Sequence, residues 1–472
     1  MKLFLCLVLP FFVTCSKPKP NPASPQVSAK TNDSPWVDEY KEIAQKLEKN
    51  ALKDETSWKR LEVLTDDIGH RLSGSKSLER AIDWAENEMR KAGLDNVRKE
   101  PVQVPHWQRG SVESAEMFSP VNKELTILGI GGSVATPKGG LRAEVVLING
   151  FDELQTKDIK GKAVLFNHKM PHWTKEHGSG YGEAYVYRTQ GASKAAKHGA
   201  LFVLVRSLTA HSLNSPHTGS LGYAEDAKKI PAAAISTEDA DHIERLSAKG
   251  KTIKVLLNMN PITHPDATSY NVIGEITGQE KPEEIVLLAA HIDSWDVGSG
   301  AHDDGGGCMA MLGAMESIKK LNLKPKRTIR LVLFTNEENG LRGAKQYSEN
   351  VKDQIKNHVM AIESDTGVFA PVGVRVQNSD VGKKQLEELM PLLASLNATE
   401  ITDGFSGADI MPIVNQGVPG LGMAVHGEHY FDIHHTEADT LDKVDKDEFR
   451  KNIAVASILA FVIADMKPRF GQ

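Results

Sequence analysis

Histidines and carboxylates stand at the ends of apolar runs in the second half of the chain: His291, Asp303, Glu337, Glu338, Asp365 and His435. The densest stretch is EIVLLAAHIDSWDVGSGAHDDGGG, residues 284–307. Its apolar run reads as a buried strand leading straight into His291-x-Asp293. A second carboxylate pair, Asp303-Asp304, comes just before a glycine-rich helix start. Imidazoles and carboxylates are the ligands of catalytic zinc, and two ions a few ångströms apart need a shared carboxylate with imidazoles and acids on the flanks. Open α/β sheets carry their chemistry at the C-terminal ends of strands, where these residues fall.

Each residue type suggests a task. Asp293, two residues after His291, reads as the carboxylate that orients the imidazole. Asp303, at the mouth of the helix, can bridge two metals; the competing use of Asp303 or Asp304 is as the N-cap of a helix over 305–320. Glu337 and Glu338 directly follow a strand. Adjacent side chains point different ways, so one can bind metal while its neighbour takes a proton from water, the division a metal-assisted hydrolase requires. Asp365 closes the next strand as a terminal ligand, and in IHHTEADTL either His434 or His435 could ligate. Cys308, on an apolar helix face, reads as a packing residue. His168, His172, His177, His198, His211 and His217 read as solvated or hydrogen-bonded, with one or two at the border of a substrate cleft.

These residues need a sheet to position them. From Tyr270 onward the pattern is doubly wound α/β, strand alternating with helix and the sheet covered on both faces. NVIGEI, EIVLLAAH, TIRLVLF, HVMAIESD and VPGLGMAV read as strands. GGGCMAMLGAMESIKKL, LRGAKQYSEN and KQLEELMPLLASL read as helices, and residues 446–466 as a closing amphipathic helix. Residues 36–93 read as helical around the loop HRLSGSKS. The texture changes at GGSVATPKGG; the short strands LRAEVVLI, GKAVLF, ALFVLV and IPAAAIS, with a small helix GASKAAKHG, then read as a separate module without a catalytic constellation.

With 472 residues, 40% of them hydrophobic and 25% charged, the chain is long enough for two or three packed domains. A net charge of −6 without a Lys/Arg stripe argues against a nucleic-acid partner. Two of the three cysteines lie in the first fifteen residues, so no disulfide framework is expected. The apolar run 3–13 is too short to span a bilayer and suits a signal peptide. Cys15 resembles the acylated cysteine of a bacterial lipobox, with Thr14 where that motif has a smaller residue. Residues 1–15 are therefore read as a leader and 16–35 as a disordered tether. A lipid on Cys15 is the one membrane attachment expected, with export as a lipoprotein, or else secretion, as the destination.

Taken together, His291-x-Asp293, Asp303-Asp304-Gly305, Glu337-Glu338, Asp365 and His435-Thr436-x-x-Asp439-Thr440 resemble the cocatalytic-zinc aminopeptidases of family M28. RLSGSK, PHW at 105–107, RTQGA at 188–192, SPHTG at 215–219 and HH-x-x-x-DT extend the likeness to the carboxypeptidase Q branch, over nearly the whole chain from about residue 60. The resemblance implies a zinc-peptidase domain over 36–124 and 263–472, interrupted by a protease-associated (PA-like) insert over 125–262. It implies two Zn2+ per chain, with Asp303 bridging, His291 and Asp365 on one ion, and Glu338 and His435 on the other. Glu337 would be the general base, Tyr430 or His429 would face the oxyanion, and Asp409 in GFSGAD would contact substrate. The Asp303–Asp304 peptide would be cis, and His302 a bystander. The implied activity is an exopeptidase acting on dipeptides or short peptides, with a homodimer as the family's assembly. The alternatives are an amidohydrolase of N-acyl amino acids, a glutaminyl cyclase, or a non-catalytic receptor on the same fold.

Overall fold

Residues 285–290 are apolar without a break because their strand, Lys281–His291, lies inside a sheet covered on both faces. Its side chains alternate. Val286, Leu288 and Ala290 enter one core, and Leu287 and Ala289 the other. The first core is closed by helices Gly306–Lys320 and Lys446–Asp465, the second by Arg342–Asn350 and Met411–Val414. The computed structural model describes residues 35–472 apart from Ser212. The leader, Cys15 and all of the tether before Pro35 lie outside the described residues. No described helix is long and apolar enough to cross a membrane.

The sheet runs from edge to edge as Asp95–Gln108, Ile262–Ile276, Arg327–Phe334, Lys281–His291, His358–Glu363, Gly420–Val425, Pro371–Gln377 and Glu400–Asp403. The four strands from Arg327–Phe334 to Gly420–Val425 are mutually parallel, so their C-terminal ends lie at one edge of the fold. The outer pairings are antiparallel apart from Pro371–Gln377 with Glu400–Asp403, which makes the sheet mixed. Helix Lys446–Asp465 was expected to be amphipathic. It is buried on every side over residues 452–464, because the N-terminal helix Lys41–Ala51 covers the flank that would otherwise meet water.

A second eight-stranded sheet is inserted between the paired strands Asp95–Gln108 and Ile262–Ile276, whose ends meet at Gln108 and Ile262. It begins earlier than residue 125. Strand Glu113–Ser119 pairs with Lys254–Met259, so the chain enters and leaves this sheet through neighbouring strands, and the glycine-rich stretch at 131–140 is an internal connection. Helices Tyr181–Lys197 and Thr237–Ala248 cover its two faces. Arg109 joins the two bodies: it donates to Asp296 at 2.9 Å on one side and to Glu113 at 3.1 Å on the other.

Candidate metal centre

The loop after His291 is held by one buried cation. Arg71 donates to the carbonyls of Gly69, Ile292, Ser299 and Gly300 at 2.7–3.0 Å, and its own N–H is bound by Ser294 Oγ at 3.0 Å. A guanidinium has donors enough for this and no acceptor to interfere. Gly300 has φ 58°, and a Cβ there would lie 2.5 Å from Ser294 Cβ and 2.8 Å from the Asp303 carbonyl, so the turn requires glycine. The two aspartates that follow have separate tasks. Asp304 caps helix Gly306–Lys320 through Gly307 N (3.1 Å) and also accepts from His291 N (3.1 Å). Asp303 is thereby left free, with its N–H anchored on Asp439 at 3.1 Å and the Asp303–Asp304 peptide cis.

Asp303 turns its two oxygens to different partners. Oδ1 lies 3.2 Å from His291 Nε2, which lies 3.2 Å from Asp365 Oδ1. Oδ2 lies 3.2 Å from His435 Nε2, which lies 3.0 Å from Glu338 Oε2. A tetrahedral shell with bonds of about 2.0–2.1 Å spaces its ligand atoms about 3.3 Å apart, close to these separations. Asp303 Oδ2 and Glu338 Oε1 are buried and accept no hydrogen bond among the described residues. Buried acceptors without donors, beside imidazoles, fit a pair of cations sharing Asp303. His434 also approaches Asp303, at 3.6 Å, and stacks on His435 with centroids 3.5 Å apart. His435 is the one whose ring reaches Glu338 as well.

The electrostatics follow from crowding. Burial opposes a charged His291, yet Asp303 and Asp365 hold its pKa well above the usual value. Burial likewise opposes a charged His435, and Glu338 and Asp303 raise it to about 9. Burial pushes Glu338 up to about 7 against the pull of His435. Glu337 is driven well above the carboxylate range by burial, with His291 opposing and Asp365, Glu338 and Asp293 adding. So many acids in one dry site need positive charge, which these imidazolium protons supply when no cation does.

Asp293 acts differently from the reading of the sequence. His291 Nδ1 meets the Asp293 backbone carbonyl at 3.1 Å, while the carboxylate stands 3.8 Å from the ring. That carboxylate instead accepts from the backbone N–H of Glu337 (3.0 Å) and Glu338 (3.3 Å), fixing the turn that presents both glutamates. His302 is occupied elsewhere, between Val368 N and Lys443 O and stacked on Phe369. Tyr430 is buried against His434, and burial with Asp303 and Asp365 raises its phenol well above the usual pKa. His429 is exposed and paired with Asp432 at 3.0 Å, away from the ligand atoms. Asp409 is buried behind the site. Neither carboxylate oxygen finds a partner among the described residues, and burial with Glu363 and Glu337 raises it well above the usual range.

The inserted body completes the centre. Thr218 N donates to the His435 carbonyl at 3.0 Å, and the Thr218 carbonyl lies 3.3 Å from His435 Nδ1. This reciprocal pair holds His435 at φ 61°, an uncommon conformation for a residue with a Cβ. It also leaves Nε2 for the Asp303–Glu338 side. Arg188 and Thr218 carried no role in the sequence reading; their one signal there was that RTQGA and SPHTG belong to the family likeness.

Residues 271–460 match the profile of peptidase family M28. Carboxypeptidase Q of Bos taurus is 43% identical over 413 residues, covering 87% of this chain and 86% of that protein. The chain belongs to peptidase family M28. Among solved structures, this M28 peptidase is similar to a peptidase M28 precursor from Shewanella amazonensis SB2B, at 35% identity and a TM-score of 0.88, covering 92% of this chain and 98% of that one. A zinc aminopeptidase from Bacillus subtilis shares the fold, at 19% identity and a TM-score of 0.66, covering 88% of this chain and 96% of that one.

Proposed function

We propose that this M28 peptidase is a dizinc exopeptidase that cleaves dipeptides or short peptides. The observation that carries the reading is the division of Asp303: one carboxylate serves two donor sets, His291 with Asp365 and His435 with Glu338, and Glu337, the neighbour of Glu338 on the turn held by Asp293, belongs to neither set. The donor set suits zinc. Bound there, the two ions would acidify a water molecule and draw charge from the scissile carbonyl.

The chain's own groups supply the remaining chemistry. Glu337 takes a proton from the attacking water and passes it to the leaving amine as the C–N bond breaks. The depth of its burial supports that task, because a raised carboxyl pKa lies nearer the pH at which protons must be both accepted and released. Asp293 keeps Glu337 and Glu338 in register through their backbone N–H groups. Tyr430, buried against His434, would contact the bound peptide. The inserted body restricts access. Tyr181 stacks on Phe431 with centroids 4.7 Å apart, Trp173 lies against His426 at 5.1 Å, and Lys175 pairs with Glu400 at 2.6 Å. A mouth roofed on one side supports short substrates with free termini over folded proteins.

The test is Glu337→Gln. Hydrolysis of a dipeptide panel should fall by at least about 1,000-fold while bound zinc stays at the wild-type level. An active Glu337→Gln enzyme, or a wild type that prefers N-acyl amino acids to dipeptides, would contradict the reading.

A further inference from the structure

One hydroxyl of the inserted body stands beside His434 without a task. Tyr181 opens helix Tyr181–Lys197, and its phenol oxygen accepts a 2.6 Å hydrogen bond from Arg188 Nη2, two turns along the same helix. Arg188 cannot turn away, because it is buried and its Nη1 donates to the Thr218 carbonyl at 3.0 Å. The guanidinium also lies over the tyrosine ring, 5.6 Å from its centroid. A guanidinium only donates, so the phenol oxygen is the acceptor and its own proton must point elsewhere. Among the described residues that proton meets no acceptor. The ring is stacked on Phe431 and edge-on to His434, whose centroid is 5.4 Å away. Arg188 Nη1 also lies 3.4 Å from His435 Nδ1, so the phenol and its guanidinium stand against the His434–His435 pair.

We propose that Tyr181 is a catalytic residue contributed by the inserted body, its hydroxyl donating to the scissile carbonyl oxygen as that oxygen gains charge, with Arg188 as the positioning residue that polarises and aims it. This rests on the peptidase reading above. As the water oxygen bonds to the carbonyl carbon, the C=O π pair moves onto the oxygen. The Tyr181 hydrogen bond strengthens without giving up its proton, and the pair returns when the C–N bond breaks and Glu337 protonates the nitrogen. Burial first, with Asp303 and Glu337 adding against Arg188, raises the phenol's pKa, which favours the protonated donor. A neutral donor fixed by a cation is organised before the charge appears, which is the condition for transition-state stabilisation. Tyr430 has no such fixing partner among the described residues.

The experiment compares wild type, Tyr181→Phe, Arg188→Met and the double variant in the full zinc-loaded protein. It reads kcat and KM on a dipeptide, affinity for a phosphinate dipeptide analogue, metal content and melting temperature. Tyr181→Phe should lower kcat about 100-fold with KM little changed, weaken phosphinate binding by a similar factor, and leave metal content and melting unaltered. The double variant should be no slower than the slower single variant, because the two act through one hydroxyl. Wild-type kcat in Tyr181→Phe, or additive losses in the double variant, would overturn the role while leaving the peptidase reading standing. A wild type inactive on every dipeptide would overturn both. If Tyr181→Phe does not fold, 2,3-difluorotyrosine at position 181 keeps the ring and alters the acidity of the hydroxyl, and an unchanged kcat would then overturn the proposal.

Discussion

At the scale of single residues, the site turns on which atom of an aspartate is used. Asp303 turns its two oxygens toward two different imidazoles, Asp304 gives both to backbone N–H groups, and Asp293 does the same for the two glutamates. Asp293→Asn puts an amide where a carboxylate oxygen accepts, so either Glu337 or Glu338 loses its backbone anchor. The expected loss in kcat/KM is about 10–100-fold, with the fold intact by circular dichroism. Wild-type rates in Asp293→Asn would show that the anchor is dispensable. The ligand types and their strand-end positions were legible in the sequence because they follow from alternation and from where parallel strands end. The use of the Asp293 carbonyl toward His291 was not, since a period of two tells which side a residue faces and not which of its atoms arrives first.

At the scale of elements, apolar runs announced the central parallel strands, whereas helix Gly306–Lys320, whose spacing suggests one apolar face through Cys308, is buried on every side from Gly306 to Met315. Pro371–Gln377 and Glu400–Asp403 escaped notice because they are short, lie toward the sheet edge and carry proline, glycine or charge. The helix read over KQLEELMPLLASL ends at Leu389 and tightens into a 3-10 segment, Met390–Leu396, because Pro391 cannot donate the next hydrogen bond. Between elements, Arg71 decides the ligand loop. Arg71→Met would fill its volume but strand carbonyls of Gly69, Ile292, Ser299 and Gly300 away from water. The destabilisation expected in urea unfolding is at least about 3 kcal/mol, with loss of bound metal. An Arg71→Met protein as stable and as metal-rich as wild type would show that the loop holds itself.

At the scale of the whole molecule, two sheets meet over one site, and the inserted one holds His435 through Thr218 while Arg109 locks the joint. That dependence was hidden in the sequence, because residues 188 and 218 become neighbours of His435 only when the insert folds back. Stability should also carry a pH signature far from the metal. His358, accepting from Tyr347 at 2.8 Å, has its pKa lowered to about 4 by burial first and then by Arg330. Its contribution is complete above the unfolded value near 6.5 and is lost as pH falls toward 4, at about 1.4 kcal/mol per pH unit within that window. His358→Gln should flatten the stability–pH curve there; a parallel curve would contradict it. The central claim, two cations sharing Asp303, is tested most directly by zinc titration of the chelated full-length protein with peptide hydrolysis as the readout. The account predicts no activity without metal and a plateau at two equivalents of bound zinc per chain. Full activity in the metal-free protein, or saturation with a single bound ion, would contradict it.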